Sequence, residues 1–325
     1  MTLTSALLLG NLWAQDFESP HFTIEKLSEG VYAAIHKNGG YAISNAGIIS
    51  LGHETLVFDC FLTPEAARDL KKAAEQLTGN QVTYVVNSHF HNDHIRGNQV
   101  FTGARIMATQ RTRELIEEYE PENLEWEKSN VGERLETTKR LAEEETDPWK
   151  LEDHKMWVGY YEGMEKSLSE YVITLPDSII ADSLTISGSE RTAVLFSRGK
   201  GHTESDLVIW LPEERILFAA DLLFVECHPW LGDGFMEDWM DYLNFLKELN
   251  PRTIVPGHGP LANTGHMDEL IRYIQTVSEI VNDALGNRVA EEVLASTPVP
   301  DAFGKWRLGR FFAPNLVIQY RARTE

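Results

Sequence analysis

The chain has 325 residues, of which 42% are hydrophobic, and a formal net charge of −21 at pH 7. This length suits one large domain with a sizeable core, and so acidic a surface argues against nucleic acid or an anionic membrane as partner. The two cysteines, Cys60 and Cys227, are too few for a disulfide framework or a structural zinc knuckle, and their pairing stays open.

The N-terminal segment, residues 1–15, contains a short apolar stretch that ends in Leu12-Trp13-Ala14. It resembles the second half of a secretory signal, but no basic region precedes it, so it is either a signal remnant or an apolar N-terminal segment. A periplasmic or secreted location and a cytoplasmic one both stay open. No stretch reaches the roughly 18 apolar residues of a membrane helix.

The first part of the chain alternates apolar segments with turns. Asn38-Gly39-Gly40 is a hairpin signal. Thr63 and Pro64 are typical of an N-cap and a first helical position, and they predict a helix that reaches about Leu77. The predicted strands are Val31–Lys37, Tyr41–Leu51, Thr55–Phe61 and Val82–Val86.

Residues 111–170 carry 18 acidic against 9 basic side chains, with large apolar residues between them. This pattern predicts a helical insertion with a solvated face. It could act as a lid, a dimer contact or a cap over the core. We expect capping, with packing roles for Trp126, Trp149, Trp157 and Tyr160. A homo-oligomer through its apolar face stays open.

The strand pattern returns after the insertion. The predicted strands are Ile179–Ile186, Thr192–Arg198, Leu207–Leu211, Arg215–Phe224 and Thr253–Val255, with helices at Met236–Leu249 and Met267–Leu285. We therefore expect one α+β domain over residues 20–285, built from two mixed β-sheets packed face to face with helices outside. The tail, 286–325, is expected to pack on it.

The sequence His89-Phe90-His91-Asn92-Asp93-His94 places four potential metal ligands within six residues, directly after the apolar strand 82–86. Strand alternation sends His89 and His91 the same way. Nitrogen and oxygen ligands suit zinc first, with iron, manganese or cobalt as alternatives. Further candidates stand near strand ends, namely His202, Asp221 and His258.

Four motifs, His89-x-His91-x-Asp93-His94, Gly201-His202-Thr203, Ala220-Asp221 and Pro256-Gly257-His258-Gly259, resemble the metallo-β-lactamase superfamily in content and order. The resemblance implies a four-layer αβ/βα sandwich with two divalent metal ions. It implies that His89, His91 and His202 hold one ion, and that Asp93, His94 and His258 hold the other. Asp221 would bridge both, and Asp59 would orient ligands by hydrogen bonding.

The same resemblance implies a dinuclear zinc-dependent hydrolase, whose metal-bound hydroxide attacks an ester, thioester, lactone or amide carbonyl of a small molecule. Asp93 would relay the proton. A mononuclear iron oxygenase of the superfamily and a β-lactamase are the alternatives. The lysine of zinc β-lactamases would fall at Phe224, which disfavours the latter. His228 and Trp230, in the loop after Asp221, are candidate substrate contacts.

Overall fold

The computed structural model describes residues 17–324, so the N-terminal segment, residues 1–15, lies outside the described residues. Two mixed β-sheets of seven and five strands form the centre of the described chain. None of its helices is both long enough and apolar enough to span a bilayer.

The seven-stranded sheet keeps its strands in chain order. Its first half is antiparallel, and from β4 onward the strands run parallel, so the carboxyl ends of β4 and β5 meet at one edge. The strands are β1 Phe22–Ser28, β2 Val31–His36, β3 Ala46–Ser50, β4 Thr55–Phe58, β5 Val82–Val86, β6 Arg105–Thr109 and β7 Ser178–Ile180.

The five-stranded sheet has the order β12-β11-β10-β9-β8. Only β11 and β12 pair in parallel, which brings their carboxyl ends together. The strands are β8 Ser183–Ser187, β9 Thr192–Ser197, β10 Leu207–Leu211, β11 Ile216–Phe224 and β12 Thr253–His258.

The eight α-helices of the described chain surround these sheets. In α1 the Thr63 hydroxyl caps the Ala66 amide and Gly79 ends the helix at φ 72°, so the predicted helix is confirmed. The helices are α1 Pro64–Thr78, α2 Asn92–Ile95, α3 Gln110–Glu144, α4 Pro148–Ser167, α5 Met236–Glu248, α6 Thr264–Gly286, α7 Glu291–Leu294 and α8 Phe312–Arg321.

Three buried clusters define the layers. The central cluster joins the facing sides of the two sheets, where the Phe58 and Phe218 rings meet edge-on at 6.2 Å. A second joins α1 to the outer face of the first sheet, and a third joins α5, α6 and α8 to that of the second. The result is a helix–sheet–sheet–helix sandwich, as the sequence predicts.

The prediction of one strand over Ile179–Ile186 is wrong. The chain leaves β7 at the edge of the first sheet, turns at Ala181-Asp182, and enters β8 at the edge of the second. Both halves carry the same β-type residues, and the two-residue turn lacks glycine or proline, so the pattern alone does not reveal the break.

Candidate metal centre

The loop that follows β5 carries the first four candidate ligands. His89 and His91 lie beyond the last strand residue, Val86, and not within the strand as alternation suggested. His91 takes an extended conformation as N-cap of α2, and the first turn of α2 holds Asp93 and His94. The side chains of Asp93 and His94 are therefore oriented by a short helix, where the sequence suggested a turn.

The other three ligands come from the second sheet. Asp221 lies inside β11, three residues before the strand ends at Phe224, where the pairing with β12 becomes irregular. His258 is the last residue of β12, which runs three residues further than predicted, and His202 lies in the loop before β10. A Cβ on Gly257 would stand 1.8 Å from Asp221 Oδ1, so this approach of β12 requires glycine.

The seven side chains form two groups, and the donor atoms in each group lie within 4.8 Å of one another. One group contains His89, His91, His202 and Asp221, and the other contains Asp93, His94 and His258. The division is the one that the family resemblance implies.

Asp221 contacts both groups. Its Oδ1 lies 3.1 Å from His94 Nε2, and its Oδ2 lies 3.4 Å from the Nε2 atoms of His202 and His258. In the second group, Asp93 Oδ2 lies 3.4 Å from His258 Nε2. One carboxylate between two sets of imidazoles has the position of a bridging ligand.

Hydrogen bonds to Asp59 fix the His94 ring directly and the His89 ring through Ser88. Asp59 Oδ2 accepts from Ser88 Oγ at 2.8 Å and from His94 Nδ1 at 2.8 Å. Since the Ser88 hydroxyl proton is already donated, the 2.9 Å contact between Ser88 Oγ and His89 Nδ1 requires His89 to donate. In both rings Nδ1 is then the donor, and Nε2 faces the centre.

The polar atoms of the centre fit cations. His89 Nε2, His94 Nε2 and Asp221 Oδ1 are buried without a hydrogen-bond partner in the described chain, since the 3.1 Å approach of the last two atoms lacks hydrogen-bond geometry. His91 Nδ1 and His202 Nε2 face each other at 3.1 Å. Buried polar atoms are normally satisfied, and a divalent ion in each group would satisfy these lone pairs together.

The electrostatics of the centre also favour cations. Burial lowers the pKa of His202 to about 3 and that of His89 well below its usual range, so both imidazoles are neutral ligands. Burial raises the pKa of Asp221 but His94 and His258 lower it more, so this group is a carboxylate. Against burial, Asp221, Asp93 and Asp59 raise the pKa of His94. A bound cation would displace that proton.

Asp233 is a further residue of the centre that sequence reasoning missed. Its Oδ2 lies 3.0 Å from His91 Nε2 and accepts from Trp230 Nε1 at 2.9 Å. It holds the His91 ring so that Nδ1 faces the centre. Its only signal was its place in the loop after Asp221, in the segment Gly232-Asp233-Gly234.

A cavity of about 520 Å³ opens onto the centre. Trp230 lines it, but His228 does not. The imidazole of His228 is buried and bonds the Tyr273 hydroxyl at 3.1 Å, so the prediction of His228 as a substrate contact is wrong. This ring packs against the rings of Tyr273, Trp306 and Phe312.

The insertion forms one wall of the cavity. Trp126, Trp157 and Tyr160 line it, so the expectation that these rings only pack is too narrow, whereas Trp149 lies elsewhere. Helix α4 comes close to the loop between β2 and β3, since a Cβ on Gly159 would stand 2.8 Å from the Gly39 carbonyl carbon. The insertion therefore covers the centre as well as the core.

Two cysteines flank this region without pairing. Cys60 and Cys227 are both free and buried. Neither belongs to either group of donor atoms.

Comparisons with known proteins place this architecture. The metallo-β-lactamase superfamily model matches residues 39–258. Over 260 residues, 77% of this chain and 69% of the relative, the chain is 24% identical to the β-lactamase-like protein 2 homolog of Caenorhabditis elegans. Over 252 residues, 74% of this chain and 78% of the relative, it is 26% identical to a metallo-β-lactamase type 2 of Pseudomonas aeruginosa.

A solved structure shares the fold. The metallo-β-lactamase from Pontibacter korlensis superposes with a TM-score of 0.57 at 17% identity, covering 78% of this chain and 99% of that one. With the family model spanning more than half of the sequence, the chain belongs to the metallo-β-lactamase superfamily.

Proposed function

We propose that the protein is a hydrolase of small carbonyl compounds that works with two divalent metal ions, zinc in the first instance. The observation that carries the proposal is the convergence of seven side chains, three of which, His89, His94 and Asp221, bury an atom at the centre without a hydrogen-bond partner in the described chain. His89, His91 and His202 would hold one ion, Asp93, His94 and His258 the other, and Asp221 both. The bound ions supply an acidified water nucleophile and polarise the carbonyl oxygen.

The chain itself handles the proton. The Asp93 side chain is 12% exposed, more than that of Asp221 at 4%, and it lines the cavity. A carboxylate that faces the substrate space can take a proton from the attacking water and pass it to the leaving group. Asp59 and Asp233 act as positioning residues, because their hydrogen bonds fix the rings of His94 and His91.

The bond that is cleaved is an ester, thioester, lactone or amide. A β-lactam ring is one case, and the Pseudomonas aeruginosa relative is named for it. However, the apolar Phe224 ring stacks on His258 at 5.0 Å, at the position where the resemblance places the lysine of zinc β-lactamases. A mononuclear iron oxygenase is the alternative from a different reaction class. The full set of seven ligands favours two metals over one.

Metal analysis with a substrate panel tests the proposal. We expect two equivalents of zinc per chain and turnover of at least one substrate among esters, thioesters, lactones and β-lactams. One iron per chain and no hydrolysis would refute it. The variants His91→Ala and Asp93→Asn should lose hydrolysis while remaining folded, whereas His53→Ala, at an exposed turn histidine, should keep it.

A further inference from the structure

The cavity beside the metal centre contains one cationic side chain. Among the described residues that line it, Arg310 is the only lysine or arginine. Arg310 lies in the short 3-10 turn Gly309–Phe311 of the C-terminal tail, beyond the residues that the family model matches. The chain as a whole has a net charge of −21, so this arginine places a positive charge in the cavity of an acidic protein.

The guanidinium of Arg310 has unused hydrogen-bond donors. Its Cζ lies 3.6 Å from the Trp157 ring centroid, and within residues 17–324 its one hydrogen bond joins Nη1 to the Tyr161 hydroxyl at 3.3 Å. It makes no ion pair with any described carboxylate. Stacking occupies the face of a guanidinium and leaves the N–H groups on its edge available.

Arg96 is an arginine with a structural role, and its hydrogen-bond donors are occupied by other side chains. Its guanidinium donates four hydrogen bonds to Glu120 and Glu127, and it is buried. Arg310 is exposed instead, on the cavity side, and keeps most of its donors free. Arg310 therefore has donors available for a ligand, whereas those of Arg96 are occupied.

The walls around Arg310 are aromatic. Trp157 and Tyr160 come from the insertion, Trp230 from the loop after β11, and Phe311 from the tail. The Trp157 and Phe311 rings meet edge-on at 5.3 Å. The buried Phe224 provides no cation on β11. A ligand in this part of the cavity would present an apolar body to the rings, and Arg310 offers a place for one anionic group.

We propose that Arg310 binds a carboxylate of the substrate, with the apolar body of the substrate against the aromatic wall and its reacting carbonyl at the metal centre. The site then selects small carboxylates that bear a second, cleavable acyl group. This inference rests on the proposed function, because it names the substrate class of the same cavity. A planar carboxylate matches the two parallel N–H groups of a guanidinium edge.

Two esters of nearly equal size test the inference on the zinc-loaded protein. Para-nitrophenyl hydrogen glutarate carries the distal carboxylate, and para-nitrophenyl valerate lacks it. Arg310→Gln should raise KM for the anionic ester about ten- to a hundredfold, the loss of one charged hydrogen-bonded pair, with kcat nearly unchanged. KM for the neutral ester should stay the same, and Arg310→Lys should restore part of the affinity.

The matched control is Arg307→Gln. Arg307 belongs to the same tail, but its side chain lies over Trp149 and lines a second pocket beside His258, not the cavity that contains Arg310. The change therefore removes one positive charge near the centre without removing a donor from that cavity. It should leave both KM values unchanged. If Arg310→Gln behaves like the wild type, or if the wild type has no KM preference for the anionic ester, the inference is overturned.

A binding measurement separates this inference from the proposed function. If neither ester is hydrolysed, calorimetric titration of the zinc-loaded protein with phenylvalerate and with phenylpentanol still reports on Arg310. We expect tighter binding of the acid in the wild type and in Arg307→Gln, and loss of that preference in Arg310→Gln. If Arg310→Gln still binds phenylvalerate more tightly than phenylpentanol, another group binds the carboxylate and the inference is refuted.

Discussion

The substitution Arg96→Met should strongly destabilise the fold, although Arg96 is not a proposed metal ligand. Its guanidinium reaches Glu120 at 3.0 and 3.2 Å and Glu127 at 2.7 and 2.8 Å. Arg96 follows directly after α2, whereas both glutamates belong to α3. The cluster therefore connects the segment with Asp93 and His94 to the insertion.

The expected magnitude follows from burial. Arg96, Glu120 and Glu127 are 2%, 1% and 3% exposed. Methionine keeps most of the packing volume but leaves two buried carboxylates without a counter-ion, which costs about 3 to 5 kcal/mol. The Tyr171 hydroxyl still donates to Glu120 at 2.6 Å, so the loss should not exceed that range.

Urea unfolding monitored by circular dichroism measures this loss as a lower transition midpoint. Arg111→Met is the control, since the Arg111 ion pair with Glu204 lies on the surface at the start of the same helix, and its midpoint should barely move. The triple variant Arg96→Met, Glu120→Leu, Glu127→Leu should regain most of the stability, because no unpaired charge remains. Equal, small effects of Arg96→Met and Arg111→Met would refute the reasoning.

Three further predictions concern groups around the centre. Asp233→Ala should lower the metal affinity of the group with His91 about 10- to 100-fold and leave that of the group with His94 unchanged. Competition with a chelator measures both affinities. An equal loss at the two groups would contradict the assigned contact. Burial lowers the pKa of His228 from 6.5 to about 4 in the folded protein. Between these two pH values the unfolded chain binds a proton at this site and the folded protein does not. The free energy of unfolding should therefore fall by about 3 kcal/mol as the pH drops from 6.5 to 4. In His228→Phe, the free energy of unfolding measured at pH 6.5 and at pH 4 should differ less than in the wild type. An equal difference in the two proteins would contradict the prediction. Burial raises the pKa of Cys227 to about 12, so a thiol reagent at pH 8 should modify the protein only after unfolding, and fast reaction of the folded protein would contradict its burial.

The fold and the candidate ligands could be predicted because their signals are local. Alternating apolar residues, the Thr63-Pro64 helix start and the cluster His89–His94 each occupy a few consecutive positions. Within one sheet, parallel strands place their carboxyl ends at a common edge, and this rule brings Asp221 of β11 close to His258 of β12. The family resemblance supplied the division of the ligands into two groups, which no spacing contains.

The remaining site residues could not be predicted because their roles arise from tertiary contact. Asp233 is one of many loop carboxylates until His91 and Trp230 meet it. His228 and Trp230 stand two residues apart in one loop, yet one side chain enters the core and the other the cavity. Nothing in the local sequence distinguishes the two residues, because His228 is held in the core by a hydrogen bond to Tyr273, which is distant in the sequence.

The centre and the cavity wall have separate structural origins. The candidate ligands all stand in or beside the two sheets, where backbone pairing and Asp59 fix their geometry. The groups that would select a substrate come from the insertion, the loop after β11 and the tail. Arg310 and Trp157 can therefore change without disturbing the ligand geometry, since no hydrogen bond in the described chain joins either residue to a candidate ligand. Substitutions in the wall should then shift KM among substrates, whereas substitutions at the centre should lower kcat for all of them.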